Sequence, residues 1–338
     1  MLGWTLLLCL LWTGSGVVAQ AEEPIRIGFI APFSGPYGAG GDDGLRALLL
    51  KVEEVNASGG VLGRTLEIVT ADDQCGPELA GAAALQLIEQ GVVAAVGPYC
   101  SAATSIASEM FSALGGIPII SPSSDLATLT ERGLDNFFRT VGRNDEQGRI
   151  AALFMVDELG ASRIAIVHDA TMYSAVLASE AGRAARALGA EVVYHGRIEA
   201  GSGEYDAAVA AIAGAAPDVV YFTGYYNDGP VLLRGLRAAG VEAAFVAGDS
   251  NTNPAFLQAS GEAAEGVFVT SPPLPRYLES AREFEAAFRA AYGTDPHPYS
   301  AYAYDALAIL LKAIEAAGSG DSYVLTTGTG SGKSLTYI

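Results

Sequence analysis

At 338 residues, half of them hydrophobic, the chain can bury two cores of ordinary size, so two domains are expected. Its 38 Asp and Glu against 19 scattered Lys and Arg give a formal net charge of −19, which argues against nucleic-acid binding, since neutralising a phosphate backbone needs clustered cations. Three histidines far apart and three cysteines supply no metal-ligand spacing and no Ser-His-Asp arrangement, so neither a cofactor nor catalysis is expected.

The N-terminus has an apolar run from Leu2 to Trp12, then small residues ending in Ala19-Gln20-Ala21. That is the pattern of a secretory signal (1–21) cleaved after Ala21, although no Lys or Arg precedes the apolar run. The run is short for a membrane anchor, and Cys9 lacks the preceding small residues of a lipoprotein signal. Export implies a periplasmic location. Removing the segment leaves Cys75 and Cys100, an even pair in an exported chain, so one disulfide is predicted.

From residue 22 short apolar runs alternate with longer amphipathic or Ala-rich stretches, the signature of βαβ units and parallel sheets. Strands are predicted at 25–30, 66–70, 92–96, 117–120 and 137–140, with helices at 42–55, 77–90, 102–114 and 126–132. A second series of the same kind has helices at 146–159, 173–188, 205–213 and 229–239, and strands at 163–168, 191–194, 219–222, 244–247 and 267–270. Helices at 280–291 and 300–317 follow Pro272-Pro273. The fold class is therefore α/β, with two similar doubly wound parallel-sheet lobes joined by a hinge: lobe 1 over 22–143, lobe 2 over 144–272, and a return to lobe 1 over 273–320.

Ligands of open parallel sheets bind outside the strand C-termini. The strand ends here read Pro32 to Tyr37, Tyr99-Cys100-Ser101, Ser121 to Asp125, His168 to Tyr173, Thr223 to Tyr226 and Gly248-Asp249-Ser250. Hydroxyls, aromatic rings and carboxylates alternate with glycine, a set that suits a small zwitterion. The stretch from Gly97 to Asp125 also brings fresh helix N-termini to the edge, which favours a carboxylate.

The segments SGPYGAGG (34–41), NASGGVLGRTLEIVTADDQC (56–75), GPYCSAAT (97–104), IPIISPSS (117–124), RIAIVHDATMY (163–173), VVYFTGYY (219–226) and AAEGVFVT (263–270) resemble, in order and spacing, the periplasmic leucine/isoleucine/valine-binding protein family, the type I periplasmic binding fold of ABC importers. The resemblance covers about 25–317 and places the family disulfide on Cys75 and Cys100. It implies a non-catalytic monomer that captures a branched-chain or related amino acid, or an amide, in a cleft between the lobes and docks on a membrane permease. A sensory domain of the same fold is the alternative.

Position by position, the resemblance puts the ligand carboxylate on Ser101 and nearby N–H groups, and the ammonium on the Ser123 carbonyl and the Asp249 side chain. Tyr173 and Tyr225 close over the ligand, Tyr299 borders its side chain, and Tyr37 lies near a position where Gly40 replaces a family tyrosine. Plainer readings stay open: Ser101 as a helix N-cap, Asp249 as a turn residue, the tyrosines as cleft lining. Asp125 stands where branched-chain binders usually carry Thr. A second carboxylate there needs positive charge or donors to match it, which suggests a cationic or amide-bearing ligand; the competing reading is a cap for a helix starting at Leu126.

The end of the chain (321–338) holds TGTGSGKS, which resembles a helicase P-loop, with Lys333 for phosphate and Ser334 for magnesium. No helix or acidic motif follows it. The expectation is a foreign-looking tail on a truncated binding fold, and a nucleotide-binding fragment is the remaining alternative.

Overall fold

The apolar run IRIGFIA is buried on both faces and forms β1 (Ile25–Ala31), the strand from which the first lobe is built. In this computed structural model, which describes residues 23–319 and two short strands beyond them, β1 lies between β2 (Leu66–Asp72) and β3 (Ala94–Val96), followed by β4 (Ile119–Ser121) and β5 (Phe137–Arg139), all parallel. The second sheet contains β6 (Arg163–His168), β7 (Glu191–Arg197), β8 (Val219–Phe222), β9 (Ala244–Ala247) and the edge strand β10 (Phe268–Val269). Its order, β7-β6-β8-β9-β10, repeats the β2-β1-β3-β4-β5 order of the first. Each lobe therefore reverses strand order at one point, between β1 and β3 and between β6 and β8, where the loops diverge and leave a crevice.

Helices cover both faces. α1 (Gly38–Ala57) packs with α9 (Arg282–Tyr292) and α10 (Pro298–Ser319) on the outer face of the first sheet, so the chain returns to lobe 1 after crossing lobe 2. α2 (Pro77–Glu89) and α3 (Ser101–Ala113) cover its other face, in one apolar core with α4 (Asn144–Leu153) and α5 (Met172–Ala187) of the second lobe. α6 (Asp206–Ala215), α7 (Gly229–Ala238) and α8 (Pro254–Ser260) close the far side. Among the described residues no helix is long and apolar enough to cross a membrane.

Local chemistry explains the main departure from the sequence expectation. The helix expected at 126–132 is only a 3₁₀ turn, Ala127–Thr130. Arg139, at the end of β5, donates to the carbonyls of Asp125, Leu126 and Ala127 at 3.1, 2.9 and 3.3 Å, taking acceptors that an α-helix would use internally. The predicted disulfide is present: Cys75, after β2, bonds Cys100, with Cα atoms 5.3 Å apart.

Residues 1–22, including the expected signal and Cys9, lie outside the described residues, as do 327–333 with Lys333. Val324–Thr326 pairs antiparallel with Ser334–Thr336. Ser334 thus sits in an antiparallel strand, whereas the P-loop reading requires it at a helix N-terminus.

Candidate functional site

Each wall of the site begins at a strand C-terminus. After β3, Gly97 takes φ +104°, and a Cβ there would fall 2.0 Å from the Ile30 carbonyl oxygen, so only glycine lets the chain turn into Tyr99 and α3. The Ser121–Asp125 loop is tied down beside it: Ser121 Oγ donates to the Pro98 carbonyl at 2.9 Å, Ser123 Oγ to the Tyr99 carbonyl at 3.0 Å, and Ser124 Oγ shares a 2.6 Å bond with Thr104. In lobe 2, Asp169 Oδ1 accepts from the Thr171 N–H, and Thr171 caps α5, fixing Tyr173 in its first turn. Asp169 Oδ2 accepts the Tyr225 N–H at 2.9 Å. Asn251 donates to the carbonyls of Gly224 and Gly248, pinning the Asp249 turn against the end of β8.

These loops surround a small cavity, open on one side, lined by Tyr99, Ser101, Ser123, Asp125, Tyr173, Tyr225, Asp249, Ser250 and Tyr299. Seven of the eight residues singled out from sequence thus meet in one place. The eighth, Tyr37, stands one ring further out, its centroid 4.7 Å from that of Tyr225 and 6.3 Å from that of Tyr226. Tyr99 and Ser250 were missed, although both follow strand ends. Tyr99 fits because Gly40 has no side chain: a Cβ there would lie 2.8 Å from the Tyr99 ring.

The N-cap of α3 is Cys100, and Ser101 is the first helical residue. This corrects the plain reading of Ser101 as a cap and leaves it in the cavity lining at the first turn of α3, where N–H groups have no intrahelical partner. Asp125 is no cap either: the turn after it is capped by Leu126, and both carboxylate oxygens of this buried side chain lack a hydrogen-bond partner. Asp249 is well supplied, with Tyr173 Oη donating to Oδ1 at 2.6 Å and Tyr299 Oη donating to Oδ2. Burial, and then the nearby carboxylates, hold the Tyr173 and Tyr299 hydroxyls well above their ordinary range, so both remain protonated donors.

The two lobes touch across the cleft. Asn227 Nδ2 donates to the Pro36 carbonyl at 2.8 Å, Tyr37 packs on Tyr225, and Tyr299, from the return segment, reaches Asp249. This is a closed arrangement. A neighbouring cavity beyond Tyr99 and Tyr299 contains Asp43, which accepts from the His297 N–H at 3.1 Å and from Ser300 Oγ.

Burial pushes Asp43 up to about 7 from an ordinary 3.8, and burial followed by repulsion from Asp249 pushes Asp125 well above the carboxylate range. Near neutrality the folded chain holds protons that the unfolded chain has released, so stability is retained at lower pH and lost as pH rises through the folded values. The three histidines are shifted down by burial and act in the opposite direction around 6.5, where the unfolded imidazoles titrate. Asp43 should therefore cost the ligand-free protein about 1 kcal/mol as pH rises from ~6.5 to ~8, read as the difference between thermal melts of wild type and Asp43→Asn, in which the histidines cancel. A difference that stays constant, or that changes in favour of wild type as pH rises, would refute the assignment.

Two matching parallel-sheet lobes facing each other across a site built from strand C-termini define the type I periplasmic binding fold. Residues 24–328 match the family model described as periplasmic binding protein. The chain is 32% identical over 309 residues to an amino acid binding protein of Pseudomonas aeruginosa, covering 90% of this chain and 82% of the relative. To that organism's leucine-, isoleucine-, valine-, threonine- and alanine-binding protein it is 31% identical over 311 residues, covering 91% and 82%. The crystal structure of a leucine-binding protein from Thermotoga maritima superposes with a TM-score of 0.82 at 28% identity, covering 88% of this chain and 84% of that one. The chain belongs to the periplasmic leucine/isoleucine/valine-binding protein family, the substrate-binding proteins of ABC importers.

Proposed function

We propose that the chain is an extracytoplasmic, periplasmic substrate-binding protein that captures an α-amino acid and presents it, in the closed state, to the membrane permease of an ABC importer. The observation that carries this reading is the lining of the cavity. It brings Ser101 and the first turn of α3, suited to a carboxylate, together with Ser123 and Asp249, suited to an ammonium.

Binding follows from differential contact. Ser101 and Ser123 belong to the first lobe, Asp249, Tyr173 and Tyr225 to the second, and Tyr299 to the return segment, so a ligand touching all of them favours the closed arrangement over an open one. Tyr173 and Tyr225 bury the ligand under aromatic faces, and Tyr37 supports Tyr225 from behind. The expected working form is a monomer with one ligand and no cofactor.

A thermal-shift panel of amino acids, amides and urea derivatives tests this. A cognate ligand at about a hundred times its Kd adds ~2.7 kcal/mol, which raises the melting temperature by several degrees and grows with concentration. Failure of every α-amino acid to stabilise the protein would remove the reading.

A further inference from the structure

Two carboxylates face the cavity, and they are treated differently by the fold. Asp249 has a tyrosine hydroxyl on each oxygen. Asp125 has none: both oxygens are buried and unpartnered, the residue is 3% exposed, and the buried hydroxyl of Ser250, which lines the same cavity, also lacks a partner. The nearest cation, Arg139, spends its N–H groups on the backbone carbonyls of Asp125, Leu126 and Ala127, steadying the loop while leaving the carboxylate bare. A buried acid left bare is costly unless something fills its remaining valences. Asp125 lines the cavity, so a ligand there can supply the missing donor.

Charge points the same way. The groups around Asp125 are Asp249 and Asp145, which repel its ionised form, Arg139, which attracts it, and the neutral hydroxyls of Tyr173, Tyr225 and Tyr299. The ammonium of a neutral amino acid would serve Asp249 alone, whereas a ligand with a second cationic N–H group would also supply Asp125, which would give up its proton as the pair forms.

We infer that Asp125 is a specificity-determining ligand contact and that the bound molecule brings it a second N–H-bearing cation, making the substrate a basic amino acid in preference to a neutral branched-chain one. This deepens the amino-acid reading given above and rests on it.

The test is isothermal titration of the full chain and of Asp125→Asn and Asp125→Ser with L-arginine, L-lysine, L-ornithine, L-leucine and L-glutamine, and with agmatine, which has the cations without the carboxylate. Wild type should bind at least one basic amino acid tenfold or more tighter than leucine or glutamine. The substitutions should weaken the basic ligand by tenfold or more and leucine by less, so that the preference is erased. Titration in buffers of different ionisation enthalpy should show proton release on binding the basic ligand to wild type, reduced in Asp125→Asn. The wild-type preferences decide the matter even where a variant fails to fold. Tight leucine or glutamine binding without a basic preference overturns the inference and leaves the amino-acid reading standing, as does an equal loss of all ligands in Asp125→Asn, which would place Asp125 on the shared ammonium. Binding of agmatine without any amino acid would support the second cation and remove the amino-acid reading; no binding by any of the six overturns both.

Discussion

Asp249→Ala should abolish useful ligand affinity, weakening binding by roughly 100- to 1000-fold, as expected when one partner of a buried, hydrogen-bonded charge pair is truncated at a cost of ~2–5 kcal/mol. The size of the effect follows from where Asp249 sits. It is buried at the C-terminal end of β9, it lines the cavity, and its two oxygens accept Tyr173 from α5 and Tyr299 from the start of α10. It is thus both the acceptor proposed for the ligand ammonium and the knot that joins lobe 2 to the return segment. Alanine removes the charge and strands two tyrosine hydroxyls, each costing ~1–3 kcal/mol if it stays buried. Asp249→Asn keeps an acceptor oxygen but no charge, so it should retain the closed packing better than alanine while still binding poorly. Titration calorimetry gives the affinities and a denaturant midpoint gives the stabilities. An alanine variant that binds within threefold of wild type would mean that Asp249 is only a structural acceptor.

Much of the fold is written locally. β6, β8 and β9 fall on the predicted residues because a short apolar run buried on both faces is a strand signal that needs no distant information. The turn at Ala127–Thr130 was misread as a helix because what prevents the helix is Arg139, twelve residues on from the first of its carbonyls there, and periodicity cannot see it. The site divides in the same way. That Ser101, Ser123, Asp125, Tyr173, Tyr225 and Asp249 should converge follows from their places just after parallel strands, and Tyr299 came from the family resemblance. Three features depend on three-dimensional neighbours and were not legible: the two tyrosines that share Asp249, the packing of Tyr99 over Gly40, and the bare state of Asp125. The last matters most for function, because a sequence gives the charge of a residue and only the fold shows whether anything balances it.

Removing the disulfide is the change with the largest expected effect on folding. Cys75 and Cys100 are separated by 25 residues that include α2 and β3, and in the chain-entropy model a loop of that length is worth about 3.5 kcal/mol. Cys75→Ala with Cys100→Ala should therefore lower the melting temperature by ~10 °C. A second contribution can be separated from the cross-link. Gln74 and Cys75 both have left-handed backbones, with φ of +48° and +61°, held there as Asp72 Oδ1 and Asp73 Oδ1 accept their N–H groups at 3.0 and 2.9 Å. Such a conformation costs an ordinary residue about 1–2 kcal/mol and glycine almost nothing. Cys75→Gly with Cys100→Ala should accordingly be ~1 kcal/mol more stable than the double alanine, with the cross-link absent from both. Because Cys100 caps α3 and precedes Ser101, both variants should also bind ligand more weakly than their surviving fold predicts, the α3 N-terminus no longer being tethered to β2. Paired denaturant melts and titrations measure all three quantities. Equal stability of wild type and the double alanine would show that the packing of α2 against α3 holds this corner without the bond, and unchanged affinity would separate the disulfide from the placement of Ser101.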